Sequence, residues 1–149
     1  FQVIHLSGRQ DDLFLAASYK DSGIKARTFR FFDSMEYAYS VADIVISRAG
    51  ALSISEILFF GLASILIPYP HARRHQIKNA SYLLKNRAAI LIEEEGLGPE
   101  ILQRKLLELF ENPVLRESLS QNASLLFLPQ ADMALADLVL NEAQTYGTK

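Results

Sequence analysis

Three short segments hold residue types whose spacing can do chemistry. The sharpest is Ser47-Arg48-Ala49-Gly50-Ala51-Leu52-Ser53-Ile54-Ser55-Glu56. It reads as the end of a strand, a turn of small residues and the start of a helix. The first free N–H groups of that helix fall near Ala51, Leu52 and Ser53. Such a terminus attracts anions through oriented amides and the helix dipole, the latter contributing about 0.3 to 1 kcal/mol per charge in exposed settings. Gly50 lets the backbone approach a ligand closely, and Arg48 adds a cation beside the turn. Glu56 follows about one turn later, on the face of the amides. A carboxylate there repels phosphate but accepts two hydrogen bonds from vicinal ribose hydroxyls. The local sequence fits an ordinary Ser53-x-x-Glu56 capping box equally well.

The second segment is Pro68-Tyr69-Pro70-His71-Ala72-Arg73-Arg74-His75-Gln76-Ile77-Lys78-Asn79-Ala80. His71 and His75 have the spacing of a zinc-binding helix. However, Ala72 stands where a metalloprotease carries its Glu, and the two prolines make this a loop entering a helix, so no metal site is expected. Gln76 and Asn79 are i, i+3 neighbours, and uncharged amides at a helix start suit sugar hydroxyls because each both donates and accepts. The alternative is a solvated polar face, with Arg73 and Arg74 as surface charges. The third segment, Phe31-Phe32-Asp33-Ser34-Met35, places two aromatics at the end of a predicted strand, where they are either core or a stacking platform. Asp33 or Ser34 can cap the following helix.

Elements must position these segments. Apolar, β-branched runs recur at 3–6, 28–32, 44–47, 65–67 and 89–92, and helical spacing fills 11–19, 35–41, 52–60 and 76–85 between them. Strict alternation of strand and helix implies right-handed crossovers and an α/β, Rossmann-like parallel sheet with helices on both faces. Ligands of such sheets bind at the carboxyl ends of the strands, where all three segments lie. Beyond residue 95 only helices are expected, at 99–110, 113–126 and 132–144, packing on the sheet or reaching towards another part of the protein. The starts are marked by Pro99, by Asn112 before Pro113 and by Asp132, and the tail from 145 to 149 reads as frayed.

Composition bounds the rest. The 149 residues suit one domain large enough to bury its own core, and the absence of cysteine excludes a disulfide framework and a cysteine nucleophile. A formal charge of −2 argues against bulk electrostatic binding of nucleic acid. The longest uninterrupted apolar run, 57–67, is too short to span a bilayer, so no transmembrane helix is expected. No Walker loop, serine elbow or full dinucleotide fingerprint occurs, nor an Asp-x-Asp pair to hold a metal on a sugar diphosphate. The chain opens inside a strand without an initiator Met, which reads as a piece of a longer protein.

Taken together and in order, these segments resemble the C-terminal half of the MurG family of N-acetylglucosaminyltransferases of peptidoglycan synthesis. The resemblance runs from Val3-Ile4-His5 and Ser7-Gly8 to the helical end. It is most specific over residues 31–35, 42–56 and 68–80. It implies that residues 1–149 are the donor-binding domain of a two-domain GT-B, inverting glycosyltransferase, with 99–144 a helical C-terminal segment. It further implies UDP-N-acetylglucosamine as donor, no cofactor or metal, and a lipid-linked muramyl-pentapeptide acceptor held by an absent N-terminal domain that also carries the general base. The parent protein would then be cytoplasmic and peripheral on the inner face of the bacterial membrane, and this chain alone would be inactive.

By the same resemblance Glu56 holds the ribose hydroxyls and Ala51 to Ser53 face the diphosphate and sugar. Gln76 and Asn79 contact the N-acetylglucosamine, and Phe31 and Phe32 lie on the sugar and uracil side. Arg48, Gly50 and His75 are counted among the donor-binding residues as well, His75 with its role open because that position varies between Gln and His in such enzymes. The family's glycine-rich phosphate loop before the first strand is absent, and Arg87-Ala88 replaces an expected Gly-Ala turn. Two other readings stay open at this point: a donor domain of a diacylglycerol glycosyltransferase, and a non-catalytic nucleotide-sugar binding module.

Overall fold

The computed structural model describes residues 1–9, 12–71 and 75–146. Arg73 and Arg74, expected as surface charges, lie outside the described residues, as do the last three of the expected frayed tail. The chain forms two compact units, Phe1–Asp43 and Ile44–Lys149.

In the first unit, strand β1 (Gln2–Leu6) pairs in parallel with β2 (Lys25–Phe29), and α1 (Asp12–Asp21) connects them. His5 Nδ1 lies 2.8 Å from the Tyr19 hydroxyl, tying α1 to β1, and burial pushes the phenol pKa up. β2 ends three residues earlier than the aromatic run at 28–32 predicts. Register is the reason: Gln2 pairs with Lys25 and Leu6 with Phe29, so a five-residue partner exhausts the strand there. Phe31 and Phe32 therefore lie beyond the strand, in the connection to α2 (Met35–Ser40). Ser34 occupies the cap position of α2, but its side chain makes no capping bond.

In the second unit, β3 (Ile44–Ser47), β4 (Ala63–Leu66) and β5 (Ile90–Leu91) form a parallel sheet with β4 central. The crossovers are α3 (Ala51–Phe60) and α4 (His75–Lys85). All four residues of β4 are buried. Alternation along the strand sends Ala63 and Ile65, with Ile67 beyond the strand end, to one face. There they meet Ile92, just beyond β5, and Leu109 and Leu119, backed by Ile101, Leu102, Leu106 and Leu115, from the helices α5 (Pro99–Glu111) and α6 (Pro113–Leu126). Each fully buried Ile or Leu among them contributes about 1.5 to 3 kcal/mol. Ser64 and Leu66 point to the opposite face and are fully buried as well.

Helix ends follow local rules. Asn112 caps α6, its Oδ1 accepting from the Leu115 N–H at 2.9 Å, and Pro99 opens α5. Three helices end in a paired-carbonyl turn that needs a left-handed residue, supplied by Gly23 (φ 68°), Gly61 (φ 60°) and Arg87 (φ 53°). The departure at position 87 therefore keeps the turn that glycine would make: the N–H groups of Arg87 and Ala88 donate to the carbonyls of Leu84 and Leu83.

The last helix, α7 (Ala131–Tyr146), is exposed along its described side chains, including Met133, Leu135, Leu138, Val139 and Leu140. By length and composition alone, the stretch Pro113–Ala143 is apolar enough to cross a membrane. Counting uninterrupted apolar residues missed it because polar residues punctuate the run. It is two helices, broken at residues 127–130 with Gln130 at φ 60°, and α6 buries Leu119 and Ala123 in the unit.

Left-handed backbone costs an L-residue roughly 1 to 2 kcal/mol, partly offset by glycine's greater freedom when unfolded. Arg87→Gly is predicted to stabilise the protein by about 0.5 to 1 kcal/mol. Gly61→Ala is predicted to destabilise it by more, because alanine would take the same left-handed backbone and its Cβ would also displace the Ser124 hydroxyl. Denaturant unfolding checks both; equal signs for the two substitutions would refute this account of the turns.

Candidate functional site

The carboxyl ends of β3, β4 and β5 share one edge of the second unit, and the turn from β3 into α3 lies on it. α3 begins at Ala51 after Gly50, whose backbone is extended (φ −67°, ψ 148°), and no side chain caps it. The first helical bond runs from the Ile54 N–H to the Gly50 carbonyl, 3.0 Å. The amides of Ala51, Leu52 and Ser53 therefore precede the helical ladder. This decides the capping-box alternative: Ser53 is the third residue of the helix, not its cap, so no such box forms with Glu56. Glu56 is half-buried, one turn along on the face of Leu52 and Ser53.

Gly50 does not need to be glycine for the fold. Its φ is ordinary, and an added Cβ would meet only the Ser53 hydroxyl at 3.9 Å. Among the described residues, nothing therefore crowds the turn in front of the three amides that precede the helical ladder.

Two side-chain amides hold the turn and the neighbouring loop. Asn79 Nδ2 donates to the Ala49 carbonyl (3.1 Å), joining α4 to the β3–α3 turn, and Gln76 Oε1 accepts from the Tyr69 N–H (2.9 Å), fixing the loop after β4. Among the described residues, the other polar atom of each amide, Asn79 Oδ1 or Gln76 Nε2, makes no hydrogen bond. His75 is exposed at the first position of α4. His71 precedes that helix and packs edge-on against Tyr69, with ring centroids 5.5 Å apart. Among the described residues no group of three or more His, Asp or Glu is arranged to hold a metal ion.

Arg48 is engaged on several sides. Its Nη1 and Nη2 donate to Glu94 Oε2 (2.6 Å) and Oε1 (3.2 Å), Nη1 reaches the Ile67 carbonyl (3.3 Å), and Cζ lies 5.5 Å from the Tyr69 ring centroid. The Arg48 hydrogen bond holds the Glu94 carboxyl below the usual glutamate range. Desolvation opposes this, while the charges of Arg48 and His71 add to it. Sequence reading missed Glu94, because 46 residues separate it from Arg48 and only the strand order joins them. Phe31 and Phe32 belong to the first unit: Phe31 is exposed, and Phe32 packs on Phe29 at 4.8 Å.

A parallel α/β sheet whose strands are joined by helices, with an uncapped helix terminus and a following carboxylate at their carboxyl ends, places the chain among the α/β domains of Rossmann-like type. The glycosyltransferase family 28 C-terminal domain matches residues 1–138, and the chain belongs to that family. It is 36% identical over 143 residues to the UDP-N-acetylglucosamine--N-acetylmuramyl-(pentapeptide) pyrophosphoryl-undecaprenol N-acetylglucosamine transferase of Pseudomonas fluorescens, covering 95% of this chain and 40% of that protein. Identity to the Myxococcus xanthus protein of the same name is 38% over 146 residues, covering 97% and 38%. The chain thus spans about two fifths of the length of these curated relatives. The crystal structure of Acinetobacter baumannii MurG superposes with a TM-score of 0.85 at 30% identity, over 94% of this chain and 43% of that one. A glycotransferase of kitacinnamycin shares the fold, with a TM-score of 0.60 at 16% identity over 83% of this chain and 38% of that one.

The lowered pKa of Glu94 gives a signed prediction. A carboxyl with a depressed folded-state pKa contributes stability above its unfolded value and loses it as pH falls through the folded one. Any gap between the unfolding midpoints of the wild type and Glu94→Gln at pH 7 should close as pH falls below the ordinary glutamate pKa of about 4.3. A gap that persists or widens in acid contradicts the ion pair.

Proposed function

We propose that this chain is the UDP-N-acetylglucosamine-binding domain of an inverting glycosyltransferase that passes N-acetylglucosamine to a lipid-linked muramyl-pentapeptide in peptidoglycan synthesis. The observation that carries the reading is the uncapped start of α3, with the amides of Ala51, Leu52 and Ser53 ahead of the helical ladder and Glu56 on their face. The names of the relatives supply the donor, the acceptor and the group transferred.

In this reading the diphosphate sits on the α3 amides, the ribose hydroxyls donate to Glu56, and the free atoms of Gln76 and Asn79 meet hydroxyls of the sugar. The assignment of Phe31 and Phe32 to the sugar and base rests on the family resemblance alone. The acceptor hydroxyl attacks the anomeric carbon from the face opposite the diphosphate. As the bond to the leaving oxygen breaks, negative charge grows on the diphosphate. Amides already oriented towards it stabilise that charge without reorganising. The general base and the acceptor grip belong to the remainder of the protein, as does attachment to the inner face of the cytoplasmic membrane.

Hydrogen bonds to a charged group contribute about 1.5 to 3 kcal/mol, so Glu56→Ala in the intact protein should weaken donor use by roughly ten- to a hundredfold. Unchanged steady-state kinetics with UDP-N-acetylglucosamine would remove the ribose assignment. Gly50→Ala separates fold from function. Alanine is the poorer N-cap, so the unfolding free energy should drop only slightly, by about 1 kcal/mol or less, while donor affinity by calorimetry falls at least tenfold, about 1.4 kcal/mol; retained affinity would show that no ligand approaches that turn.

A further inference from the structure

We propose that Arg48 is a positioning residue that acts through Glu94. It holds the β3–α3 turn, and with it the amides of Ala51, Leu52 and Ser53, in line for a diphosphate, instead of binding the phosphates itself. The inference deepens the proposed nucleotide site and rests on it. Arg48 stands two residues before Gly50, and the intervening Ala49 is fully buried. The turn is gripped from two sides. On one side the Asn79 side chain donates to the Ala49 carbonyl. On the other, the Arg48 fork takes both oxygens of Glu94, at 2.6 and 3.2 Å, while Nη1 also reaches the Ile67 carbonyl at the end of β4.

Glu94 opens the short 3₁₀ turn Glu94–Gly96 that follows β5, so one guanidinium ties together the carboxyl ends of all three strands. Its charge is matched by the carboxylate, and the Tyr69 ring lies 5.5 Å away. Tyr69 is in turn fixed by its backbone bond to Gln76. The work is geometric. A planar fork that meets a carboxylate with two bonds and a carbonyl with a third cannot be replaced by a lysine point charge.

Positioning and direct phosphate binding predict opposite signs. By field alone, removing the Glu94 charge near an anionic ligand tightens binding, and a direct phosphate ligand freed from its carboxylate partner does the same. If Arg48 positions the turn, Glu94→Gln loosens it. The experiment is calorimetric titration of the intact protein, wild type, Glu94→Gln and Arg48→Lys, with UDP and with uridine. Both variants should bind UDP about tenfold more weakly than wild type, as expected for displaced donors, and bind uridine unchanged. Unchanged or tighter UDP binding by Glu94→Gln, wild-type affinity in Arg48→Lys, or a parallel loss of uridine binding would overturn the assignment. Failure of the wild type to bind UDP would overturn the site reading itself and this inference with it.

Discussion

Burial of β4 on both faces is the constraint from which the second unit follows. A strand with Ala63, Ser64, Ile65 and Leu66 all out of solvent must be central and must have cover on each side. Parallel pairing with β3 and β5 satisfies its backbone, and parallel neighbours require crossovers, which α3 and α4 provide. Because every strand then runs the same way, their carboxyl ends share an edge. Arg48, Tyr69 and Glu94 meet there although they lie far apart in the chain.

That edge is held together by polar contacts between connections. Asn79 reaches the turn before α3, Gln76 the loop after β4, and Arg48 both β4 and the turn after β5. At its present exposure the Arg48–Glu94 pair serves orientation more than stability, since solvent screens its attraction. The amides of Gln76 and Asn79 thus tie α4 to the two loops that frame the edge.

The order and type of the elements were legible because apolar, β-branched runs alternate with helical spacing and because caps such as Asn112 and Pro99 are strong local signals. The end of β2 was not, because aromatic content extends through Phe32 whereas the strand's length is set by its pairing with β1. The capping-box question could not be settled from the Ser53-x-x-Glu56 spacing, since it turns on where the helix starts, and Gly50 rather than Ser53 takes the cap position. Glu94 was invisible because nothing in the acidic run 93–95 tells which carboxylate faces an arginine 46 positions earlier. Arg87 shows the reverse: at a departure from an expected glycine the backbone still makes a glycine-type turn, because the paired hydrogen bonds of the helix end hold an arginine at φ 53°.

The central claim is that the α3 terminus receives the diphosphate and Glu56 the ribose. A crystal structure of the intact protein with UDP-N-acetylglucosamine bound tests it most directly. Phosphate oxygens should lie within hydrogen-bond distance of the amides of Ala51, Leu52 and Ser53, and both ribose hydroxyls on the Glu56 carboxylate. A donor seated elsewhere, with the Gly50 turn open to solvent and Glu56 away from the ribose, would contradict it.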